Sequence, residues 1–357
     1  MRFPSSIFSF KTLRLQLGVP RGLIVAVLLL LTFDWTVSRQ EWPYVAAARA
    51  GLQSHLSEYL TLEVALSQSK IKPSVAIYGD SHVRLGFNPA VLERDLGLPT
   101  GGVVNLGLSS GDVYDIYLLQ KRHPAKFLQQ PLVVYGIDIM QFNSNFPLTD
   151  RFDHFATLCD RLRFEPTPPR LAAGIFRTAE KGRLYSKLRY TLAGAAWDRI
   201  RSNKAGVQDT LEARVATPAA KELVDEWCDK FELSARKLKL FQDKLQSAAA
   251  NGQKFLLVQM PCPNAFMHEL MVNHAQEYVC YKNAVSQLTD APIVFFEDAS
   301  ACGLQTSDFI DRDHLSPEGA AKFSTYFANW LKQYHPELVA AAKVGIASRP
   351  QAADLRQ

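Results

Sequence analysis

Three polar side chains have the types needed for nucleophilic catalysis. Ser81 follows a short apolar run directly, in the order Gly79-Asp80-Ser81-His82, and Asp311 and His314 lie much later in the chain. A serine hydroxyl is a weak nucleophile until a base removes its proton, and a histidine oriented by a carboxylate is suited to that task. One turn can present residues three apart together. We therefore interpret Ser81 as a nucleophile, His314 as its base and Asp311 as the residue that orients the base.

A glycine-rich stretch, residues 105–112, follows the second apolar run. Its glycines let backbone N–H groups approach a developing oxyanion closely. With Ile77-Tyr78-Gly79-Asp80-Ser81 before it and Asp311-x-x-His314 after it, this stretch resembles the ordered blocks of the GDSL, or SGNH, hydrolase superfamily. The resemblance implies a flavodoxin-like, three-layer α/β/α sandwich. It also implies an oxyanion hole formed by the backbone N–H groups of Ser81 and Gly107.

One block departs from the family pattern. Members usually carry Gly-x-Asn-Asp after the third strand, with the Asn side chain donating to the oxyanion, whereas this chain has Gly136-Ile137-Asp138. An ionised carboxylate cannot donate a hydrogen bond, so three alternatives are open. A nearby amide such as Gln141 or Asn143 substitutes, Asp138 is protonated, or catalysis is weak. Losing one oxyanion donor lowers the rate about 10²- to 10³-fold.

The residues next to Ser81 and His314 indicate a particular subgroup of the superfamily. Gly-Asp-Ser-His at residues 79–82 and Asp-His-Leu-Ser-Pro-x-Gly-Ala at residues 313–320 resemble SGNH domains of membrane acyltransferases that O-acetylate envelope polysaccharides. This implies a polysaccharide or acyl-ester substrate, a membrane protein as acyl donor, and no cofactor. His82, Arg84 and Asp138 are the candidate substrate-binding residues.

Three functions are compatible with these patterns. The leading hypothesis is a membrane-anchored serine acyltransferase or esterase that acts on O-acyl groups, most simply acetyl, of an exported or envelope polysaccharide. The first alternative is a general esterase, lipase or thioesterase with the same triad. The second is a non-catalytic SGNH-fold subunit of a polysaccharide secretion or modification complex, which Asp138 favours.

The cysteines do not point to metal chemistry. The chain has 5 Cys and no C-x-x-C pair, which disfavours a thiolate zinc site, and we predict no metal. In an oxidising compartment they allow up to two disulfides, and otherwise they are small buried apolar residues.

The net charge of +5 among 357 residues is concentrated in two segments. Residues 1–21 contain Lys and Arg but no acidic residue, and residues 161–204 are also strongly basic. The rest of the chain is mildly acidic, which disfavours a generally basic nucleic-acid binder. The second basic segment is a candidate surface for an anionic glycan, a lipid surface or a partner, or it is a solvated helical face.

The N-terminal segment has the pattern of an export signal. An uncharged apolar run, residues 22–33, lies between Arg21 and Asp34. We predict a cytoplasmic tail at residues 1–21 and an uncleaved signal anchor at residues 22–37, with the remainder outside the cytoplasm. A cleaved signal peptide and a buried core helix are the alternatives.

The elements that must position the site alternate between strands and helices. Five short apolar runs predict buried parallel strands, at residues 74–78, 103–106, 132–136, 254–260 and 293–296. We predict a helical stalk at 38–70, an α/β domain at 71–335 with a helical or irregular insertion at about 139–218, and a frayed tail at 336–357. Periodic apolar residues predict one long helix over residues 221–250.

Overall fold

A parallel sheet forms the centre of the protein. The computed structural model describes residues 21–37, 55–68, 73–123, 130–146, 148–167, 217–228 and 230–347. The order within the sheet is β2-β1-β3-β4-β5, and every neighbouring pair is parallel. The strands are β1 Val75–Gly79, β2 Val103–Gly107, β3 Leu132–Gly136, β4 Lys254–Gln259 and β5 Ile293–Phe295. The predicted α/β class is confirmed, and this order is that of flavodoxin-like folds.

The strands form because their side chains are apolar on both faces. Every residue of β1 and β3 is buried. In β1, Ala76 and Tyr78 contribute to one core, whereas Val75 and Ile77 contribute to the other. Such continuous apolar runs are typical of parallel strands that are covered by helices on both sides.

Helices cover both faces of the sheet and complete three layers. In chain order the described helices are α1 Arg21–Val37, α2 His55–Gln68, α3 Ser81–Gly86, α4 Pro89–Leu96, α5 Val113–Arg122, α6 Ile139–Phe142, α7 Asp150–Phe155, α8 Leu158–Phe164, α9 Thr217–Cys228, α10 Ala235–Ala250, α11 Asn264–Asn273, α12 Ala275–Ser286, α13 Pro317–Tyr334 and α14 Pro336–Ala347. Residues of α2 and α5 to α12 enter the first core, which contains Ala76 and Tyr78. Residues of α3, α4, α13 and α14 enter the second core, which contains Val75 and Ile77.

The predicted single helix over residues 221–250 is wrong, because two helices occupy this stretch. Helix α9 ends at Cys228, and α10 begins after Ser234, whose side chain accepts a hydrogen bond from the Lys237 N–H. Between them Leu233 forms an antiparallel bridge with Asn143. The apolar periodicity continues across the break, and the serine cap with its bridge interrupts the helix.

The predicted boundaries also change at both ends of the domain. Residues 336–347 form α14 instead of a frayed tail, with Leu338, Val339 and Ala342 buried in the second core. Within the predicted stalk, α2 packs on the domain through Tyr59 and Leu60. The insertion begins with α6, α7 and α8, while residues 168–216, most of the second basic segment, lie outside the described residues.

Helix α1 covers the predicted signal anchor at residues 22–37 and also Arg21, the last residue of the predicted cytoplasmic tail. The rest of that tail, residues 1–20, lies outside the described residues. Among the helices that the structure describes, none has both the length and the apolar character required to cross a bilayer.

The cysteines form no disulfide. All five are free thiols, with Cys228, Cys262 and Cys302 buried and Cys159 and Cys280 exposed. The buried thiols act as small apolar residues, which is the second of the two expectations from the sequence.

We expect Phe323→Ala in α13 to lower the free energy of unfolding by about 3–5 kcal/mol, because it removes a buried ring and leaves a cavity. The Phe323 side chain is fully buried between Phe87 and Phe296, with ring centroids 5.4 and 5.3 Å away. Urea denaturation measures the change. The control Gln333→Ala, at an exposed position of the same helix, should change stability by less than about 0.5 kcal/mol. Equal losses in both variants would contradict this account of the core.

Candidate active site

The nucleophile candidate lies at the point where the strand order reverses. Ser81 is the first residue of α3 and is separated by Asp80 alone from β1, which lies between β2 and β3. In open parallel sheets, ligands bind in the crevice at such a position, outside the carboxyl ends of the strands. Asp80 caps the helix by accepting a hydrogen bond from the His82 N–H at 2.9 Å.

Gly79 permits this sharp exit from the sheet. Its φ angle is +157°, and a Cβ atom there would lie 3.0 Å from the Cβ of Val83 and 3.2 Å from the Cα of Gly136. A side chain at this position would separate β1 from its neighbours. The glycine therefore lets α3 start immediately after the strand.

The candidate base, His314, lies in a short loop between the 3₁₀ turn Thr306–Asp308 and α13. Phe309 and Leu315 form an antiparallel bridge, and the Ile310 N–H donates to the His314 carbonyl at 3.0 Å. Asp311 Oδ1 accepts hydrogen bonds from the N–H groups of Asp313 and His314, at 3.1 and 2.8 Å. The loop thus fixes the carboxylate before any ligand arrives.

The structure brings the three predicted catalytic residues into hydrogen-bond contact. His314 Nε2 lies 2.8 Å from Ser81 Oγ, and His314 Nδ1 lies 3.1 Å from both carboxylate oxygens of Asp311. A second carboxylate, Asp313 Oδ1, lies 3.0 Å from the same Nδ1 atom. Sequence reasoning did not give Asp313 a role, although its position directly before the histidine was the available signal.

The two carboxylates change the basicity of His314. Burial alone would lower the pKa of the imidazole, but the hydrogen bonds with Asp311 and Asp313 outweigh it and raise the pKa to about 9. The imidazole is therefore a strong proton acceptor once it is neutral.

The sequence analysis predicted that His82 binds substrate, but its side chain does not face the crevice. Its side chain is buried, with 4% of its surface exposed. Burial would lower its pKa, but the neighbouring carboxylates, Asp80 first and Asp313 also, raise the pKa well above 6.5. The surrounding carboxylates therefore favour the protonated form of the enclosed His82 imidazole.

Asp138 and Asn143 do not supply the predicted oxyanion contacts. Asp138 caps α6, where its Oδ1 atom accepts from the Met140 N–H at 3.4 Å, and burial raises its pKa to about 7. The Asn143 amide donates to the Trp227 carbonyl at 3.1 Å, and its Oδ1 accepts from the Glu232 N–H at 3.3 Å. Asn143 thus joins α6 to the segment after α9. One of its two amide N–H groups is therefore engaged by a backbone carbonyl.

The other candidate oxyanion donors differ in whether they already bond to nearby protein groups. The Ser81 N–H belongs to the first turn of α3, where a helix leaves N–H groups without intrahelical acceptors. The Gly107 N–H donates to Asn105 Oδ1 at 3.0 Å, within its own strand. The Gln141 amide lies 3.3 Å from both Asp80 Oδ2 and the Gly136 carbonyl. The structure therefore leaves Ser81 as the principal predicted donor that is not engaged locally.

Arg84 is paired with protein instead of facing a ligand, contrary to its predicted role. Its guanidinium lies 2.9 Å from Glu58 of α2. The same Glu58 carboxylate accepts from the Ser109 N–H at 3.0 Å, and buried Arg151 donates to the Ser109 carbonyl at 2.7 Å. These contacts fasten the glycine-rich loop beside the nucleophile to α2 and α7.

Two overlapping sets of side chains among the described residues bring ligand atoms within 4.8 Å of one another, as a metal ion would require. One set is His82, Asp313 and His314, and the other is Asp80, His82 and Asp138. Their imidazole and carboxylate atoms already face each other at 3.0–3.4 Å, as in ion pairs. These groups are therefore already ionic partners of one another.

A cavity of about 470 Å³ opens beside the loop that carries His314. Phe309, two residues before Asp311, forms part of its wall. The polar groups that line it are neutral, from Asn264, Ser300, Gln305 and Thr306. The lining contains no ionisable side chain, which suits a neutral polar ligand.

No family model matches the chain, and no characterised protein matches it in sequence. Solved structures that are similar to it include the following two. A Streptococcus pneumonia protein with the provisional description of a platelet activating factor is 12% identical, with a TM-score of 0.36, and the match covers 82% of this chain and 100% of that chain. LAE5, an alpha/beta hydrolase enzyme from the metagenome of Lake Arreo, Spain, is 13% identical, with a TM-score of 0.31, and the match covers 75% of this chain and 94% of that chain.

We expect the His314 imidazole to titrate near pH 9 instead of 6.5, because Asp311 and Asp313 stabilise its protonated form. The base is neutral only above this pKa, so the reactivity of Ser81 should rise with pH through the same range. NMR titration of the histidine ring measures the first quantity. Asp311→Asn removes one stabilising charge and should lower the midpoint. A wild-type midpoint at or below 6.5 would contradict the observed carboxylate contacts.

Proposed function

We propose that this protein is a serine esterase or O-acyltransferase of the SGNH type. The contact between Ser81 Oγ and His314 Nε2 at 2.8 Å, with Asp311 on the other imidazole nitrogen, is the observation that carries the proposal. A hydroxyl, a base and an orienting carboxylate in this order form the machinery of acyl transfer through a covalent intermediate.

In the first half of the reaction, Ser81 Oγ attacks the carbonyl carbon of an ester while His314 Nε2 accepts the hydroxyl proton. The resulting oxyanion collapses, the ester C–O bond breaks, and His314 gives its proton to the departing alcohol. The acyl group is then bound to Ser81 as an ester. Asp311 keeps Nδ1 protonated and stabilises the imidazolium while it exists.

The second half of the reaction decides between an esterase and a transferase. Water or a sugar hydroxyl attacks the acyl-serine, His314 accepts the proton of the attacking group, and the acyl–Ser81 bond breaks. Attack by water completes hydrolysis, whereas attack by a sugar hydroxyl completes transfer. Both outcomes return Ser81 and His314 to their starting states.

The substrate class is the finer part of the proposal. We propose an O-acylated, most simply O-acetylated, polysaccharide of the envelope or an exported polysaccharide. The resemblance of residues 79–82 and 313–320 to polysaccharide O-acetylation domains supports it. Anchorage in a membrane, outward placement and a membrane acyl donor remain predictions from the sequence.

A second function has support from one observation. The side chains that were candidates for oxyanion stabilisation, Asp138 and Asn143, are engaged as a helix cap and as a backbone tie. Each missing donor lowers the rate about 10²- to 10³-fold. This favours a slow enzyme, or a non-catalytic binding subunit that uses the same crevice.

We expect an activated phosphonate probe to label Ser81 in the wild-type protein, and Ser81→Ala to abolish the labelling because no other hydroxyl contacts His314 in the described residues. Mass spectrometry of the labelled peptide measures this. The control is Ser144→Ala, since this exposed serine bonds Glu232 away from the triad and its loss should leave labelling unchanged. A folded wild-type protein that is never labelled would favour the non-catalytic subunit.

We expect added neutral oligosaccharide to become acetylated when the wild-type protein turns over p-nitrophenyl acetate, because a sugar hydroxyl competes with water for the acyl-serine. Mass spectrometry of the sugar and release of p-nitrophenol measure the two pathways. Ser81→Ala should abolish both. Release of p-nitrophenol without sugar acetylation, at saturating acceptor, would identify a plain esterase.

A further inference from the structure

His82 lies beside the triad but takes no part in the relay from Ser81 to Asp311. It is the second residue of α3, and 4% of its surface is exposed. Its ring stacks on His314, with centroids 4.9 Å apart and planes 16° apart, and the Trp227 ring contacts it edge-on at 5.4 Å. The two imidazoles are therefore close enough for the charge on one to affect the other.

Carboxylates from three parts of the fold surround His82. Its Nδ1 atom lies 3.4 Å from both Asp80 Oδ1 and Asp138 Oδ2, which follow β1 and β3. Its Nε2 atom lies 3.3 Å from Asp313 Oδ2, in the loop that carries the base. His82 thus connects the ends of two central strands with the catalytic loop.

The contacts around His82 are ionic in character. Within the part of the chain that the structure describes, neither ring nitrogen has a well-aligned hydrogen bond, although all three carboxylates lie within 3.4 Å. Buried carboxylates so close together repel one another unless a cation lies between them. A protonated His82 supplies that cation, and its own burial is compensated by the same three groups.

Asp313 is shared between the two histidines. Its Oδ2 atom faces His82 Nε2 at 3.3 Å, and its Oδ1 atom faces His314 Nδ1 at 3.0 Å. With both contacts the pKa of Asp313 falls well below its usual range, although burial acts in the opposite direction. One carboxylate therefore holds both rings in the stacked arrangement.

We propose that His82 is a positioning residue, a fixed imidazolium that shares Asp313 with His314 and opposes the arrival of a second positive charge on that base. The consequence for catalysis rests on the proposed function, in which His314 accepts the proton of Ser81. The placement of the two rings and of Asp313 does not depend on it.

The charged groups around each ring determine whether the pKa of His314 rises or falls when His82 is replaced. His314 faces Asp311 and Asp313 of its own loop, and Ser81 and His82 of α3. The two carboxylates favour the protonated base, whereas the cation on His82 disfavours it. His82 itself faces Asp80, Asp138, Asp313, Cys262 and His314. Without His82, no neighbouring positive charge offsets the stabilisation that Asp313 gives to protonated His314. The base therefore keeps its proton to higher pH.

The test is an NMR titration of the histidine rings in the full chain. With wild type as reference, His82→Gln should move the His314 midpoint upward, and Asp313→Asn should move it downward, each by about one pH unit. The rate of Ser81 labelling by the phosphonate probe should shift along the pH axis in the same two directions. The control His123→Gln removes another histidine paired with a carboxylate, Glu63 at 2.9 Å, and should leave the midpoint unchanged.

A His314 midpoint that is unchanged or lower in folded His82→Gln would overturn the inference. If that variant does not fold, the wild-type titration decides. In it, the ¹⁵N shifts of His82 must remain those of an imidazolium while His314 loses its proton, and earlier deprotonation of His82 overturns the inference. Absence of Ser81 labelling in a protein with the expected midpoints overturns the proposed function alone. Labelling with unmoved midpoints overturns the role of His82 alone.

Discussion

The contact between Ser81 and His314 joins residues 233 positions apart, and the rest of the site depends on it. It exists because β1 lies in the interior of the sheet while the chain returns, after β5, to the same carboxyl edge. The antiparallel bridge between Phe309 and Leu315 closes the loop that contains His314 and restricts its conformation. The strand order brings Ser81 and the loop that contains His314 to the same edge of the sheet. Local hydrogen bonds in the loop then set the distance between the two side chains.

Local sequence patterns predicted most of the strands and helices. Runs such as residues 132–136 contain apolar side chains at every position, and burial on both faces leaves few other arrangements for them. The break before Ser234 was not predictable from periodicity, because apolar residues keep helical spacing across it. Helix α14 was missed for a related reason, since its alanine-rich sequence shows burial only once a partner surface is known.

Within the site, sequence reasoning paired Ser81, His314 and Asp311, and it failed where a role depends on a side chain's partner. Asn143 has the right chemistry for an oxyanion donor, but a carbonyl of α9 engages its amide. Arg84 has the right charge for an anion, but Glu58 lies against it. His82 was assigned to the substrate because nothing in the sequence indicates that Asp80, Asp138 and Asp313 converge on one imidazole.

The surplus of carboxylates over imidazoles also determines which ligands can approach the nucleophile. Asp80, Asp311 and Asp313 outnumber His82 and His314 even when both rings are protonated and Asp138 is neutral. A ligand that places a carboxylate or phosphate next to Ser81 would be repelled from such a crevice, and a neutral or positively charged ligand would not. Electrostatic selection among ligands is therefore a property of the same cluster that surrounds His314.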